Sequence, residues 1–414
     1  MKLGKLLDVE MLRAFMKDGF ILRRNHPTLP LAILNYSNSC MFQDFWPEVV
    51  QQCRGLVIGA VRDHDVCDDC DVIARPFHKF FNLNHSSEPL YHEGNLPAVV
   101  PTVTEKMDGW FGILWKLNYA VGDKAVHYGV ASRGSFESPG ADFATAKLGK
   151  LIKYGAIDEF PAGYSAVFEI IFKAGRIVVD YPYEGLVLLA LVNNETGEEM
   201  PYDELRNVWA KIAAYAADNR PWIRLVKAHN LGSDWYDRPP HRVAQAFEAE
   251  QGELKVKNME GFVLTYPRPG TFPIKVKIKF EDYKRLHKLI TGVTPQMIWG
   301  AVHDPMAPWM GSAVPAHFRE WAIKWRDDLY NKFHADLINI HAIAREVLLN
   351  TEMSSDTEQH RKRLFEALNA RDTKVASIAM TLLNGKVYEA HQAIWKRIRP
   401  VGREDVFYRE GQGE

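Results

Sequence analysis

The chain has 414 residues, of which 47% are hydrophobic and 12% aromatic, and its formal net charge is −1. This composition excludes a disordered or fibrous protein. The nearly neutral charge excludes a polycation that binds nucleic acid through its bulk charge, so any such binding would depend on local basic clusters. A chain of this length favours two or three compact units.

The amino terminus mixes charged residues into its apolar positions, and the sequence contains no run of the ~20 apolar residues that a membrane span needs. We therefore expect a soluble, cytoplasmic protein. Four cysteines are too few for a disulfide framework in a chain of this size. Cys67 and Cys70 form a CDDC segment, with His64 just before it and Cys40 and Cys53 upstream. A zinc site and a simple hairpin tip are both compatible with this segment.

Strands are predicted between about residues 50 and 285, where β-branched and aromatic runs alternate with turn residues. Continuous apolar runs indicate strands buried on both faces, whereas strict alternation in the last run predicts a strand with one wet face. Helices are predicted after Ser138 and from Tyr202 to Tyr215. The strand-like runs are GLVIGAV, FGILWKL, SAVFEIIF, RIVVDY, GLVLLALV, GFVLTY and IKVKIKF.

Helical periodicity replaces the strand pattern after Leu286. The long stretches HFREWAIKWRDDLYNKFHADLINIHAIAREVLL and KVYEAHQAIWKRIRP show it. The sequence thus predicts a mixed α+β domain over residues 1–287, which includes a lead-in of about 45 residues, and an all-α domain over residues 288–414.

Candidate chemistry begins in TVTEKMDGWFGILWK, where Lys106 and Asp108 precede a turn at Gly109 and a strand follows. Taken alone, this pattern is typical of a solvated turn. Two glutamates add to it: Glu169 lies inside the apolar run SAVFEIIF, and Glu260 stands directly before GFVLTY. A carboxylate in an apolar run is costly without a partner, so Glu169 belongs either to an ion pair or to a functional site.

Three lysines alternate in the last predicted strand, and Lys275, Lys277 and Lys279 should share one face because side chains repeat with period two. An exposed sheet face would explain this row by itself. Each feature therefore has a purely structural explanation when it is considered separately, and only their combination and order indicate chemistry.

The motif KxDG, a glutamate within a strand, a strand opened by EG and a final KxK strand follow the order found in covalent nucleotidyltransferases. This superfamily contains DNA ligases, RNA ligases and mRNA capping enzymes. The flanking segments QQCRGLVIG, with Arg54, and ARPFHKFFNLNH, with Lys79 and Phe81, resemble those of the phage-type RNA ligase 1 family. SRGSF, AVFEII, AGRIVVDY, NMEGFVLT and KVKIKFEDY continue the resemblance to about residue 285. Trp110 stands where the family usually has a small polar residue, and Arg133 where it often has a lysine.

The resemblance implies an α+β nucleotidyltransferase domain, ATP-grasp-like with mostly antiparallel sheets, followed by an all-α C-terminal domain. It also implies an ATP-dependent RNA ligase. Lys106 would take AMP from ATP, the AMP would pass to an RNA 5′-phosphate, and a 3′-hydroxyl would displace it. ATP and Mg²⁺ or Mn²⁺ are the implied cofactors.

Residue roles follow from the same resemblance. The expected catalytic residues are Lys106, Lys277, Lys279 and Glu260. The expected nucleotide-binding residues are Arg54, Lys79, Phe81, Glu105, Lys106, Arg133, Glu169, Lys277 and Lys279. The expected metal-site residues, which would orient waters on the ion, are Asp108, Glu169 and Glu260. For Phe81, stacking on adenine and packing in the core are both left open. An amine attacks only when neutral, so we expect Lys277, Lys279 and the metal ion to lower the pKa of Lys106.

RNA with 5′-phosphate and 3′-hydroxyl ends is the expected partner, and the family suggests tRNA repair in a phage-infected cell. Ends that need healing would require a separate kinase and phosphatase, since the sequence has no Walker-type phosphate loop. We expect a monomer with no membrane association. Residues 288–400 hold 15 Lys+Arg and 12 Asp+Glu, which is a weak sign of RNA binding. The resemblance nonetheless links a helical domain in this position to substrate choice.

Two other functions compete with this interpretation. A DNA ligase or capping-type nucleotidyltransferase would share the core motifs, but the sequence lacks signs of the oligonucleotide-binding barrel that those enzymes carry. HKFFNLN also argues against them. A noncatalytic RNA-binding protein with a decayed site is the alternative of another class, although every charged residue that the chemistry needs is present.

Overall fold

The computed structural model describes residues 1–59, 65–85, 87–121, 124–216, 221–229, 258–311, 314–401 and 407. The chain divides into two compact units, Met1–His287 and a second unit that begins at Lys288. The first unit combines sheets with helices, and the described part of the second unit is helical. The predicted fold class, a mostly antiparallel α+β domain followed by an all-α region, is confirmed.

All strands of the described chain lie in the first unit. They are β1 Ile21–Asn25, β2 Leu31–Tyr36, β3 Arg54–Gly59, β4 Val72–Ala74, β5 Thr102–Lys106, β6 Trp110–Val121, β7 Lys124–Ala131, β8 Tyr164–Ile171, β9 Gly185–Asn193, β10 Ile223–Leu225, β11 Ala228–His229, β12 Gly261–Tyr266 and β13 Ile274–Lys279.

Among the described residues, seven α-helices begin before the end of the first unit and five more follow in the second. The first seven are α1 Leu3–Leu6, α2 Val9–Lys17, α3 Asn38–Gln43, α4 Glu48–Gln52, α5 Pro139–Tyr154, α6 Tyr202–Ala214 and α7 Glu281–Gly292. The other five are α8 Pro295–Gly300, α9 Ala316–Asn350, α10 Thr357–Arg371, α11 Ala376–Leu383 and α12 Val387–Arg397.

The described strands of the first unit form three sheets, with strand orders β1-β2-β3-β4, β10-β9-β8-β6-β7 and β11-β5-β12-β13. Every pairing among the described strands is antiparallel except the one between β9 and β10. The predicted lead-in is therefore part of a sheet, because β1 and β2 continue the ladder that β3 and β4 begin.

Helix α5 starts where the sequence predicts it. The Ser138 hydroxyl accepts a hydrogen bond from the backbone N–H of Ala141, and Pro139 occupies the first helical position. The apolar face of α5 packs on the five-stranded sheet through Ala144, Leu148 and Leu151, which belong to the same buried cluster as Phe168 of β8. The opposite face of this sheet packs against the sheet that contains β2 and β3.

Six of the seven predicted runs form strands, but the prediction for RIVVDY is wrong. The segment from Arg176 to Tyr181 has no strand partner in the described structure. Its backbone N–H groups bond to side chains instead: Val178 and Val179 donate to Asp108, and Asp180 donates to Asn258. Backbone N–H groups can donate to side-chain acceptors as well as to a neighbouring strand. The β propensity of a segment does not reveal which of these two partners it will have.

The CDDC segment forms a turn in which the Cys70 N–H donates to the Cys67 carbonyl at 3.1 Å, and the two sulfurs lie 3.2 Å apart. Among the described residues, no group of three or more His, Cys, Asp or Glu side chains is placed to hold a metal ion. His64 lies outside the described residues.

The second unit has its own core. Ile340 and Val347 of α9, Leu368 of α10, Ala379 of α11 and Ile394 of α12 are buried together. None of the helices that the structure describes is both long enough and apolar enough to cross a membrane.

Candidate active site

The centre of the candidate site is the start of β12. In the antiparallel register Gly261 faces Lys106 at the end of β5 on one side and Lys279 at the end of β13 on the other. Glu260, the residue before Gly261, therefore receives both lysines. Its Oε2 lies 2.8 Å from the Lys106 Nζ and its Oε1 2.8 Å from the Lys279 Nζ. Two of the three predicted catalytic lysines, Lys106 and Lys279, thus meet the predicted glutamate in one cluster.

Burial of Glu260, which is 3% exposed, favours its neutral form, but Lys106 and Lys279 outweigh burial and hold its pKa below the usual value. Burial likewise opposes the charge on Lys106, yet Glu260, Glu169 and Asp108 raise the pKa of Lys106 above its usual value. Without a nucleotide or a metal ion the Lys106 pKa is thus raised, and the expected lowering, which includes the effect of a metal ion, stays a prediction. The carboxylates outweigh burial because Glu260 contacts Lys106 directly.

Glu169 lies on β8 and is fixed by the KMDG turn. Its Oε1 accepts a hydrogen bond of 2.9 Å from the backbone N–H of Gly109. A Cβ at position 109 would lie 2.7 Å from the carbonyl oxygen of Ile170 and 2.8 Å from the Glu169 Cγ, so only glycine permits this approach. Burial raises the pKa of Glu169 to about 7, against the opposing effect of Lys106.

Asp108 has a different environment from the one that the sequence suggests. Its Oδ2 accepts from the backbone N–H groups of Val178 and Val179 at 3.0 and 2.8 Å, and its Oδ1 accepts from the Tyr283 hydroxyl at 2.7 Å. The Tyr181 hydroxyl accepts from the Asp108 N–H. With both oxygens engaged and 4% exposure, Asp108 joins the KMDG turn to the segment of Val178 and to α7. Its assignment to a metal site is not supported by these contacts.

A group of cations lies beside this cluster, and it contains Arg54, Lys79, Arg133 and Lys277. Burial, with the charges of Arg54 and Arg133 next in size, lowers the pKa of Lys79 to about 7. Burial and the charge of Lys79 lower the pKa of Lys277 well below its usual value. Such mutual repulsion in a partly dry site is costly unless an anion relieves it.

Aromatic rings hold these cations in place. The Arg54 guanidinium lies 4.7 Å from the ring centroid of Phe111 and 4.9 Å from that of Phe77, and its buried Nη1 has no hydrogen-bond partner among the described groups. The Lys277 ammonium lies 5.9 Å from the Phe80 ring. Cation–π contact stabilises a guanidinium or ammonium without neutralising it, so the positive charge stays available to a ligand.

Phe81 packs in the interior, which decides between the two roles left open for it. It is 2% exposed, and its ring contacts Trp46, His85 and Tyr91 at centroid distances of 5.5, 4.6 and 5.0 Å. The proposed stacking of Phe81 on adenine is therefore not supported. Phe81 contacts the site through its backbone, because its carbonyl oxygen accepts a hydrogen bond of 3.1 Å from the Lys277 N–H.

Glu105 and Trp110 point away from the cluster. Successive side chains of β5 alternate, so the half-buried Glu105 lies on the opposite face of the sheet from Lys106. The structure does not bring its carboxylate to the predicted nucleotide site. Trp110 packs against Phe172 at 5.0 Å in the core beneath α5. Its large ring therefore leaves the face of Glu169 unobstructed.

The row of lysines does not form a wet sheet face. Lys275 is 8% exposed and pairs with Glu199, whereas Lys277 and Lys279 are partly buried on the face of Lys106. The prediction that the three share one face is confirmed by the register, and the alternative of an exposed face is wrong.

Two kinds of residue at this site were missed by sequence reasoning. Tyr283 lies four residues after Lys279 in the quoted segment KVKIKFEDY, so its proximity could have been inferred from the strand-to-helix junction. Tyr36 and Trp46, which contact Lys79, precede the segments that resemble a known family, and no motif marked them.

Comparison with known proteins gives a family match over the part of the chain that builds this cluster. The model of the RNA ligase family RNA_lig_T4_1 matches residues 52–283, more than half of the chain. A protein of Thermovibrio ammonificans named "Putative RNA ligase" is 27% identical over 224 residues, which is 53% of this chain and 50% of that protein. The chain thus matches about half the length of this relative.

Solved structures with a similar arrangement include an archaeal ATP-dependent RNA ligase, with a TM-score of 0.44 and 16% identity over 88% of this chain and 77% of that one. The structure titled "Putative ATP-dependent DNA ligase from Aquifex aeolicus" has a TM-score of 0.40 and 16% identity, and the match covers 87% of this chain and 77% of that one. These overall similarities are low, and the assignment rests on the family match. The resemblance seen in the motifs is confirmed, and the chain belongs to the RNA ligase family of the phage T4 RNA ligase 1 type.

Proposed function

We propose that this protein is an ATP-dependent RNA ligase that carries AMP on Lys106 and joins a 5′-phosphate to a 3′-hydroxyl. The observation that carries the proposal is the contact of one buried carboxylate, Glu260, with two lysines from neighbouring strands. Beside them lie the cations Arg54, Lys79, Arg133 and Lys277, whose mutual repulsion a triphosphate would relieve. Family membership supports the same chemistry.

In the first step the Lys106 Nζ forms a bond to the α-phosphorus of ATP, the bond from that phosphorus to the bridging oxygen breaks, and pyrophosphate leaves. Lys106 must first give its proton to solvent water. Glu260 is a poor acceptor because two lysines hold its pKa low, so it acts as the counter-ion of the resting enzyme. Separation of Lys106 from Glu260 would lower the Lys106 pKa, since Lys277 and Lys279 would remain close.

The cations that repel each other in the empty pocket would then serve the reaction. Lys79, Lys277 and Arg54 would offset the negative charge that grows on the departing pyrophosphate. Glu169, close to the KMDG turn, would accept hydrogen bonds from the ribose hydroxyls. AMP would next pass to the RNA 5′-phosphate, and the 3′-hydroxyl would displace it.

Mg²⁺ fits this site as an ion that keeps most of its waters. Glu169 and Glu260 are the carboxylates that would hold its water shell, and no set of three or more ligating side chains occurs among the described residues to bind it directly. When bound, the ion would supply positive charge beside the phosphates. Asp108 would be a positioning residue, because hydrogen-bond donors of the protein occupy its carboxylate.

Lys106→Ala tests the proposal. Incubation with α-³²P-labelled ATP and Mg²⁺, followed by denaturing electrophoresis, should label the wild type and leave Lys106→Ala unlabelled. Lys150→Ala, on the exposed face of α5, is the matched lysine control and should label like the wild type. Lys106→Ala should still seal pre-adenylylated RNA, because that step bypasses lysyl-AMP. Label on Lys106→Ala at the wild-type level would refute the assignment.

The polynucleotide is tested separately. Strands of RNA and DNA with 5′-phosphate and 3′-hydroxyl ends, otherwise identical, should be sealed in favour of RNA. Preference for DNA would instead support the alternative of a DNA ligase, and no labelling of the wild type would support a noncatalytic RNA-binding protein.

We further propose that residues 1–287 are the adenylyltransferase domain and that residues 288–414 select the RNA. The proposed substrate is cleaved RNA such as tRNA in a phage-infected cell, where a separate kinase and phosphatase would prepare the ends. The enzyme would act as a monomer in the cytoplasm. Family membership supports an RNA substrate, and the separate helical core supports an independent role for the second unit.

A further inference from the structure

We infer that Cys67 and Cys70 form a redox site, where a small-molecule disulfide such as oxidised glutathione converts the two thiols into a disulfide that braces the amino terminus. Both residues belong to the CDDC segment, which the proposed ligase chemistry does not use. The inference goes beyond the proposed function and does not rest on it, because neither ATP nor RNA takes part.

The two cysteines lie at the ends of one tight turn. The Cys70 N–H donates to the Cys67 carbonyl at 3.1 Å, which is the hydrogen bond between the fourth and first residues of a β-turn. A β-turn brings its first and fourth Cα atoms within ~7 Å, and disulfides span ~4.4–6.8 Å between Cα atoms. The two sulfurs already lie 3.2 Å apart. Formation of a bond between them therefore requires side-chain rotation and no large movement of the backbone.

The two thiols differ in their access to solvent. Cys67 is half-buried, whereas Cys70 is 8% exposed. The Cys67 N–H donates to the Cys70 Sγ at 3.3 Å, and burial raises the pKa of the Cys70 thiol. A dissolved disulfide therefore reaches Cys67 first, and Cys70 is placed to attack the mixed disulfide that results.

The exchange takes two steps. The Cys67 thiolate attacks one sulfur of the oxidant, a bond forms between them, and the S–S bond of the oxidant breaks to release one thiolate. The Cys70 thiolate then attacks the Cys67 Sγ, and the bond from Cys67 to the remaining half of the oxidant breaks. The two cysteines lose two electrons to the oxidant, and their two protons pass through solvent to the two released thiolates.

Cys40 and Cys53 provide a contrast within the same chain. Both are fully buried, and burial raises the pKa of each thiol. The Cys40 Sγ also donates to the Phe20 carbonyl at 3.2 Å. Buried thiols in apolar surroundings are inert towards dissolved oxidants. The oxidant should therefore select Cys67 from the four cysteines of the folded protein.

The same turn holds the amino terminus. The Leu3 N–H donates to the Cys70 carbonyl at 2.8 Å, and the Gly4 N–H donates to the Asp68 carbonyl at 3.0 Å. Both acceptor carbonyls lie within the turn that the two cysteines close. A covalent bond across this turn restricts its local opening, so it would keep both carbonyls in place for the amino-terminal amides.

Treatment of the folded full-length protein with oxidised glutathione tests the site. Remaining thiols are alkylated in denaturant, and the peptides are analysed by mass spectrometry. The wild-type peptide with Cys67 and Cys70 should lose two hydrogens and retain no glutathione, while Cys40 and Cys53 should be alkylated as free thiols. Cys70→Ser should retain one glutathione on Cys67, because the thiol that would release it is missing. Cys67→Ser should react at Cys70 at least about tenfold more slowly than the wild type does at Cys67.

Hydrogen exchange measures the effect on the amino terminus. Exchange at the amides of Leu3 and Gly4 should be slower by about threefold or more in the oxidised wild type, and reduction with dithiothreitol should reverse the change. Glutathionylated Cys70→Ser is the control, because it carries no bond across the turn and should show no slowing. The inference would be overturned by free Cys67 and Cys70 thiols in excess oxidised glutathione, by glutathione retained on the wild type, or by unchanged exchange in the oxidised protein. A stoichiometric zinc ion that is lost in Cys67→Ser would also overturn it, since the metal would occupy both sulfurs.

Discussion

Glu260 forms ion pairs with two lysines, and this sharing sets the charge of Lys106, the proposed nucleophile, in the protein without ligand. Lys106 is cationic in the resting pocket because Glu260 lies 2.8 Å away and raises its pKa against the effect of burial. A protein that stored Lys106 as a neutral amine would expose a reactive group to other electrophiles. In the proposed mechanism the ion pair keeps Lys106 protonated and inactive until a bound ligand separates it from Glu260.

The cation Lys79 illustrates how function opposes stability at the level of one residue. Its pKa is lowered from 10.5 to about 7 by burial and by the neighbouring Arg54 and Arg133. The unfolded chain therefore binds more protons than the folded one between about pH 7 and 10.5, and stability from this group rises with pH across that window. Below pH 7 the penalty for the buried charge is fully present.

Lys79→Met should accordingly raise the unfolding temperature while slowing AMP attachment by about 10²-fold or more. The gain should be larger at pH 6.5 than at pH 9, because the wild type gives up the buried proton at the higher pH. Thermal unfolding followed by circular dichroism at both pH values measures it. Lys150→Met, on an exposed helix face, should show no such pH dependence. A lower unfolding temperature for Lys79→Met at pH 6.5 would contradict this account.

Among the elements, the junction of β5, β12 and β13 determines the site. Gly261 faces Lys106 and Lys279 at once, and it has a φ of +153°, a backbone conformation that side chains rarely adopt. A Cβ there would come within 1.9 Å of the Ile278 carbonyl oxygen. The close approach of β13 to β12 at this point is what brings Lys279 to Glu260.

Gly261→Ala should therefore destabilise the protein by more than about 2 kcal/mol, through backbone strain and overpacking. AMP attachment should be lost even where the variant stays folded, because the two strands must separate. Gly149→Ala is the control: it lies in the interior of α5 with nothing within 4 Å of its ideal Cβ, and it should stabilise by roughly 0.5–1 kcal/mol. Urea unfolding measures both, and an unchanged midpoint for Gly261→Ala would refute the steric argument.

At the scale of the whole molecule, each of the two units has its own buried core, and the candidate active site belongs to the first unit. Every residue placed in the active site lies between Tyr36 and Tyr283, within the first unit. The second unit has a separate buried cluster built from α9 to α12. An independent core permits a domain to fold and evolve separately, which suits a role in choosing the substrate.

A shortened chain that ends at Gly292 keeps α7, and with it the contact of Tyr283 with Asp108. It should form lysyl-AMP within about threefold of the full-length rate, since the described contacts of the site lie before Gly292. Sealing of a nicked stem-loop RNA should fall more than sealing of linear RNA, if the helical unit selects structure. If the shortened chain sealed both RNAs at the rates of the full-length chain, the helical unit would have no role in recognising the RNA. Circular dichroism establishes that the shortened chain is folded.

The sequence alone determined six strands of the first unit and the identity of the central residues of the candidate site. Period-two alternation in IKVKIKF places Lys277 and Lys279 on one face of the strand whatever surrounds them, because successive side chains of a β-strand point to opposite faces. The KMDG and EG motifs likewise marked Lys106 and Glu260. These features are local, and local stereochemistry dictates them. The helical character after Leu286 is local in the same sense.

Only the tertiary structure decided what each side chain contacts. Whether Phe81 faces a ligand or the core depends on Trp46 and Tyr91, which its own segment does not encode. The direction of the Lys106 pKa depends on a carboxylate 154 positions later in the chain. Electrostatic and packing energies vary steeply with distance across the fold, so motif order identifies the participants, while their protonation and contacts follow from three-dimensional proximity.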